Sequence, residues 1–119
     1  MPASESVRVV LLPVGDHDNE GTAVQIVLDL QREVGASRSS GPFPAFGRIG
    51  DFRRPETLFP FALMFDGRMD LGALASEVDR HMILDIRTAE LLPGTVVART
   101  TDGRHDRYVI ASVTNLLAG

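Results

Sequence analysis

The chain has 119 residues, a net charge of −4 and no cysteine, and all twelve of its basic residues are arginine. This length suits one domain with a single hydrophobic core. The missing cysteine and lysine exclude disulfides, thiolate catalysis, cysteine-ligated metals, Schiff-base chemistry and a P-loop lysine. The acidic balance, with a pI of about 5.2, argues against a protein that mainly binds nucleic-acid phosphates.

Membrane insertion and secretion have no support in the sequence. No segment approaches the roughly 20 apolar residues that a membrane helix needs. The longest apolar run near the start, residues 9–14, contains Pro13 and is too short for the core of a secretion signal. We therefore expect a soluble, cytoplasmic protein with no membrane partner, folded as one domain over residues 1–119.

The aromatic residues are unevenly distributed. All six phenylalanines lie between residues 43 and 65, and Tyr108 is the only other aromatic residue. Aromatic side chains carry a large apolar area and dominate both cores and interfaces. This window is therefore predicted to build much of any special surface or pocket.

The first predicted element is a strand over residues 7–12. Both of its faces are apolar from Val9 onward, which is typical of a strand in the middle of a sheet. Pro13 and Gly15 then end it.

Residues 22–34 carry the pattern of an amphipathic helix. Thr22 and Gln25 have the spacing of a capping box, and Gly35 suits the position after a helix C-terminus. Apolar residues recur at the spacing of one helix face: Ala23, Val27, Leu30 and Val34.

A flexible connector at about residues 36–42 leads into two predicted strands. The first is short and lies within residues 45–52. In the second, over residues 58–65, Phe59, Phe61 and Phe65 share one face. Pro60 places its part of that strand at the start or on a sheet edge, because proline cannot donate a ladder hydrogen bond.

The remaining elements are a second helix and a hairpin. Leu71, Leu74, Val78 and Met82 recur at helical spacing, whereas residues 83–91 fit either a helix extension or a strand. Asp102-Gly103 between residues 95–101 and 104–114 is a strong hairpin signal. A two-residue loop pairs Arg99 with Asp106 and Val97 with Tyr108.

This order of elements predicts an α+β fold. Two helices would cover one face of a mainly antiparallel sheet, in a ferredoxin-like βαββα order followed by a C-terminal β-hairpin.

The sequence shows no catalytic or metal-binding motif of high specificity. Residues 16–21 resemble the first half of an EF-hand loop, but the position that needs a bidentate glutamate is Val27, so no metal or cofactor is expected. The candidates for a catalytic role are His105, His17 and Arg54. Arginines interleaved with phenylalanines can clamp an anionic group. The candidate ligand-binding or interface residues are Phe46, Phe52, Phe59, Phe61, Phe65, Arg48, Arg53 and Arg54.

Three functional hypotheses are compatible with these features. The first is a non-catalytic binding or protein-interaction module, formed as a homodimer through a phenylalanine-rich face. The second is a small cofactor-independent enzyme of the isomerase, cyclase or oxygenase type, whose phenylalanines line an apolar pocket for a small apolar or anionic ligand. The third is an antitoxin-like or immunity protein, whose acidic surface matches a basic protein partner.

Overall fold

The computed structural model describes residues 4–14, 25–39, 43–54, 56, 58–72, 82–101 and 104–116. Within these ranges the regular structure consists of β-strands, and none of the described residues lies in an α-helix. The strands are β1 (Ser4–Pro13), β2 (Gln25–Glu33), β3 (Ala45–Gly50), β4 (Phe59–Leu63), β5 (Met69–Asp70), β6 (Met82–Leu84), β7 (Val96–Thr101) and β8 (Arg104–Asn115).

These strands form one antiparallel sheet in the order β5-β4-β3-β2-β1-β8-β7-β6. Each strand lies beside its neighbour in the chain, and β8 returns to pair with β1. The two ends of the sheet meet at one bridge between Arg68 and Ile83, where the Leu84 N–H also donates to the Gly67 carbonyl at 2.8 Å. The sheet is therefore a nearly closed barrel of the up-and-down type.

The predicted helix over residues 22–34 is wrong, since its described part forms β2. Ile26, Leu28 and Leu30 are buried at every second position, whereas Val27 is half-buried and Val34 is exposed. Val27 and Leu30 matched the helical spacing, but the described segment gains more by pairing with β1 on one side and β3 on the other. Tertiary pairing thus overrides a local periodic pattern.

The α+β, ferredoxin-like fold class is wrong for the same reason. The second predicted helix lies mostly at residues 73–81, outside the described residues, and its last residue, Met82, begins β6. Beyond β6 the chain forms a loop in which Ile86 and Leu91 are completely buried. No helix long and apolar enough to cross a membrane occurs in the part of the chain that the structure describes.

Several strand predictions are confirmed. β1 lies in the middle of the sheet, although its outward-facing Val10 is only half-buried. Pro60 lies near the start of β4, on the stretch that β5 does not reach. The β7–β8 hairpin has the predicted register, with Arg99 opposite Asp106 and Val97 opposite Tyr108.

The inner face of the sheet forms the core, and one end of the barrel is closed by the loop after β6. Arg32 of β2 donates from Nε to Glu5 at 2.7 Å and from Nη1 to the Leu91 carbonyl at 3.4 Å. Asn115 of β8 donates from Nδ2 to the same Glu5 carboxylate at 2.7 Å. This half-buried network ties three strands to the loop that covers the core.

A second polar group lies on the inner face near the opposite end of the barrel. The Arg99 guanidinium donates from Nη2 to Asp106 at 3.3 Å and lies 5.6 Å from the centre of the Tyr108 ring. The Arg99 side chain is only 13% exposed, and its buried Nε has no hydrogen-bond partner among the described residues. The inner face of the β7–β8 hairpin therefore carries a charged pair, Arg99 and Asp106.

Gly47 allows β2 and β3 to approach closely. A Cβ atom at this position would collide with the Val27 carbonyl oxygen and lie 2.7 Å from Leu28 Cβ. Both atoms belong to a paired strand, so they cannot move without disturbing the ladder. The absence of a side chain at residue 47 therefore permits the close approach of β2 and β3.

We predict that Gly47→Ala lowers the free energy of unfolding by about 1–3 kcal/mol, because overpacking against backbone forces the strands apart. Urea denaturation measures this change. Gly35→Ala is the comparison variant: Gly35 has a φ of +89° and open space around it, so its cost is that of the backbone conformation alone. Equal or smaller destabilisation by Gly47→Ala would show that the close approach of β2 and β3 is not a constraint.

Candidate functional site

The outer face of β1 to β5 carries an open groove with a volume of about 770 Å³. Its lining combines aromatic and aliphatic side chains with two arginines and two aspartates. The lining residues are Arg8, Val27, Leu28, Asp29, Phe46, Gly47, Arg48, Phe52, Pro60, Phe61, Ala62, Asp70, Leu71 and Gly72.

Strand register places most of these residues in two rows across the sheet. The first row runs from β1 to β5 and consists of Arg8, Asp29, Phe46, Ala62 and Asp70, each paired with the next. The second row runs across β2 to β4 and consists of Val27, Arg48 and Pro60. Directly paired residues have Cβ atoms about 5 Å apart, so each row forms a continuous surface.

Three of the lining residues belong to the inner face of the sheet. Leu28, Gly47 and Phe61 are cross-strand partners on that face, and Leu28 is 0% and Phe61 only 3% exposed. The exposed surface of the groove is therefore supplied mainly by the two outward-facing rows.

Arg8 and Asp29 form a two-pronged ion pair in the first row. Arg8 donates from Nε at 2.9 Å and from Nη2 at 3.1 Å to the two carboxylate oxygens of Asp29. This hydrogen bonding and the Asp29 charge raise the pKa of Arg8. The positive charge of Arg8 is therefore already balanced by the carboxylate of Asp29.

Arg48 differs from Arg8 because it is exposed and has no hydrogen bond or ion pair within the described part of the chain. Its neighbours in the second row, Val27 and Pro60, offer no acceptor side chain. The remaining acid, Asp70, accepts the Gly72 N–H at 2.9 Å through Oδ1. Arg48 is thus the cation of the groove that is available to an added molecule.

Phe52 is held at the groove by the turn that follows β3. Its N–H donates to Gln25 Oε1 at 3.2 Å, which fixes the turn to β2. Asp51 Oδ1 accepts the Arg53 N–H at 2.9 Å, and the Asp51 carbonyl accepts the Arg54 N–H at 2.8 Å. The hydrogen bond from the Arg53 N–H lowers the pKa of Asp51.

The structure brings together four of the residues that the sequence predicted as ligand-binding or interface residues. Phe46, Phe52, Phe61 and Arg48 line the groove. Arg53 and Arg54 lie in the adjoining turn without lining it. Phe59 and Phe65 are exposed outside it, Phe65 in the turn after β4.

The structure does not bring His105 to the groove. His105 lies on β8, which β1 and β2 separate from β3, and its Nδ1 is 3.1 Å from Thr100 Oγ1. His17 and the possible metal loop at residues 16–21 lie outside the described residues. In the described ranges, no three His, Asp or Glu side chains are placed to hold a metal ion.

Three groove residues were not predicted from the sequence: Arg8, Asp29 and Asp70. Their positions depend on the strand register, which a helical assignment of residues 25–33 conceals. Reading that segment as a strand would have aligned the opposite charges of Arg8 and Asp29 on neighbouring strands.

We predict that the Asp51 carboxyl titrates below the ordinary aspartate value of 3.8, because its charged form accepts the Arg53 N–H. The associated stability is present above the unfolded-state pKa and is lost as the pH falls through the folded-state pKa. A carbon-detected NMR titration of the side chain measures the value. Arg53→Ala should keep most of the depression, since the backbone donor remains; a wild-type value of 3.8 or above contradicts the described turn.

No family model matches this chain, and no curated protein or solved structure is significantly similar to it. The candidate function therefore depends on the chemistry of the groove residues.

Proposed function

We propose that this chain is a non-catalytic binding module and that its ligand is a small apolar molecule held in the groove over β1 to β5. The observation that supports this proposal is the groove itself, which has a volume of about 770 Å³ and combines apolar side chains with a few polar groups. Small-molecule sites commonly have volumes of roughly 300–1,000 Å³ and this mixture of side chains. A cytoplasmic location is part of the same proposal.

The exposed aromatic side chains support an apolar ligand. Phe46 is 64% exposed in the middle of the first row, and Phe52 is 36% exposed where the turn meets the groove. Covering a phenylalanine completely contributes about 1.5–3 kcal/mol, so a ligand that shields both rings gains useful affinity. The rings stand on a paired strand and a hydrogen-bonded turn, which limits the entropy lost on binding.

Self-association is the second candidate function, and the exposed phenylalanines outside the groove favour it. Phe59, the first residue of β4, is 59% exposed, and Phe65, in the turn after β4, is 70% exposed. A homodimer that buries these rings would remove apolar surface from water. The enzymatic hypothesis has less support, since the described groove brings no histidine beside Arg48.

We predict that Phe46→Ala weakens binding of N-phenyl-1-naphthylamine, a neutral apolar fluorescent probe, by roughly 5–10-fold, because the ring lost is a central contact. Phe65→Ala is the matched control, since it removes an equally exposed ring outside the groove, and its effect should stay below twofold. Fluorescence titration measures both.

Sedimentation velocity on the same variants separates the two candidate functions. Weaker probe binding by Phe46→Ala with unchanged mass supports the ligand-binding function. If Phe65→Ala instead converts a dimer to a monomer while Phe46→Ala leaves probe binding intact, self-association is supported and the ligand-binding proposal is wrong.

A further inference from the structure

We infer that the ligand of this groove is a monocarboxylate with an apolar, ring-containing body, whose carboxylate binds Arg48 while its body covers Phe46. This inference rests on the proposed function, since it names the chemical class of molecule that the same groove takes. It follows from the distribution of charge among the groove residues.

Arg48 is the residue best placed to recognise an anion. Arg8, the other arginine in the groove, already donates two hydrogen bonds to Asp29. Arg48 is exposed between the apolar Val27 and Pro60 and has no partner in the described ranges. A guanidinium group binds a carboxylate through two parallel hydrogen bonds, which gives both affinity and a fixed orientation.

The acid of the groove that has no arginine partner fixes the charge and orientation of the ligand. Asp29 is already paired with Arg8, so Asp70 is the first-row acid that no described arginine of the groove balances. Arg48 lies in the second row, so a carboxylate is drawn to Arg48 and away from Asp70, and the uncharged body is left for Phe46 in the first row. A dianion such as a phosphate monoester would meet one unpaired arginine and the charge of Asp70, which favours a monoanion.

Strand geometry gives the approximate length of the ligand. Arg48 and Phe46 lie two residues apart on the outward side of β3, a separation of about 7 Å along the strand. A carboxylate joined to a phenyl ring by a three-carbon chain covers a similar length. 4-Phenylbutyrate is therefore a suitable probe, and 4-phenyl-1-butanol is its uncharged counterpart.

Isothermal titration calorimetry with this pair of compounds tests the inference. We expect wild-type protein to bind the acid at least about tenfold more tightly than the alcohol at low ionic strength. Arg48→Gln should reduce acid binding to the level of the alcohol and leave alcohol binding unchanged. Arg48→Lys should retain part of the preference, because it keeps the charge but loses the two-pronged geometry.

Arg87→Gln is the matched control for net charge. Arg87 is exposed in the loop after β6, does not line the groove and has no partner in the described part of the chain. This variant should bind both compounds as the wild type does. An equal loss of acid binding in Arg87→Gln would mean that overall charge, rather than Arg48, attracts the acid, and would overturn the inference.

The remaining outcomes distinguish this inference from the proposed function. Equal binding of acid and alcohol by the wild type, or an acid preference that survives in Arg48→Gln, overturns the monocarboxylate inference and leaves an apolar binding module. If neither compound binds to a protein that still binds N-phenyl-1-naphthylamine, the monocarboxylate inference is likewise wrong and an apolar binding module remains. Failure of all three overturns the proposed function as well.

Discussion

The register between β1, β2 and β3 is the constraint on which the rest of the structure depends. It places Arg8 opposite Asp29, Asp29 opposite Phe46, and Gly47 opposite Leu28. A shift of one residue would move every inward side chain of a strand to the outer face, so the core and the groove share one register. Gly47 allows this pairing at close range, because a Cβ atom there would collide with β2.

Local signals predicted the parts of the fold that local chemistry determines. Asp102-Gly103 specified the β7–β8 register, because a two-residue loop leaves one way to pair the flanking strands. The apolar residues of β1 correctly indicated a central strand. The segment that forms β2 was assigned wrongly, because its apolar residues fit a helical period as well as a strand period. The pairing with β1 and β3 that decides between them is non-local.

The candidate site was predictable in part, for a related reason. Residue type alone identified Phe46, Phe52, Phe61 and Arg48, because a cluster of phenylalanines interleaved with arginines is visible in the sequence. It could not separate them from Phe59 and Phe65, whose exposure depends on where β4 begins and ends. The roles of the two groove arginines differ only because Asp29 neutralises Arg8, a contact between neighbouring strands.

Ligand binding in the outer groove can be tested by a two-dimensional amide NMR titration with 4-phenylbutyrate. Binding there predicts that shift changes concentrate at residues 46–52 of β3 and its turn and at their partners on β2 and β4, with little change at residues 96–101 and 105–110. Changes concentrated in the β7–β8 hairpin, or on inward-facing positions around Arg99, would place the ligand elsewhere and rule out the outer groove.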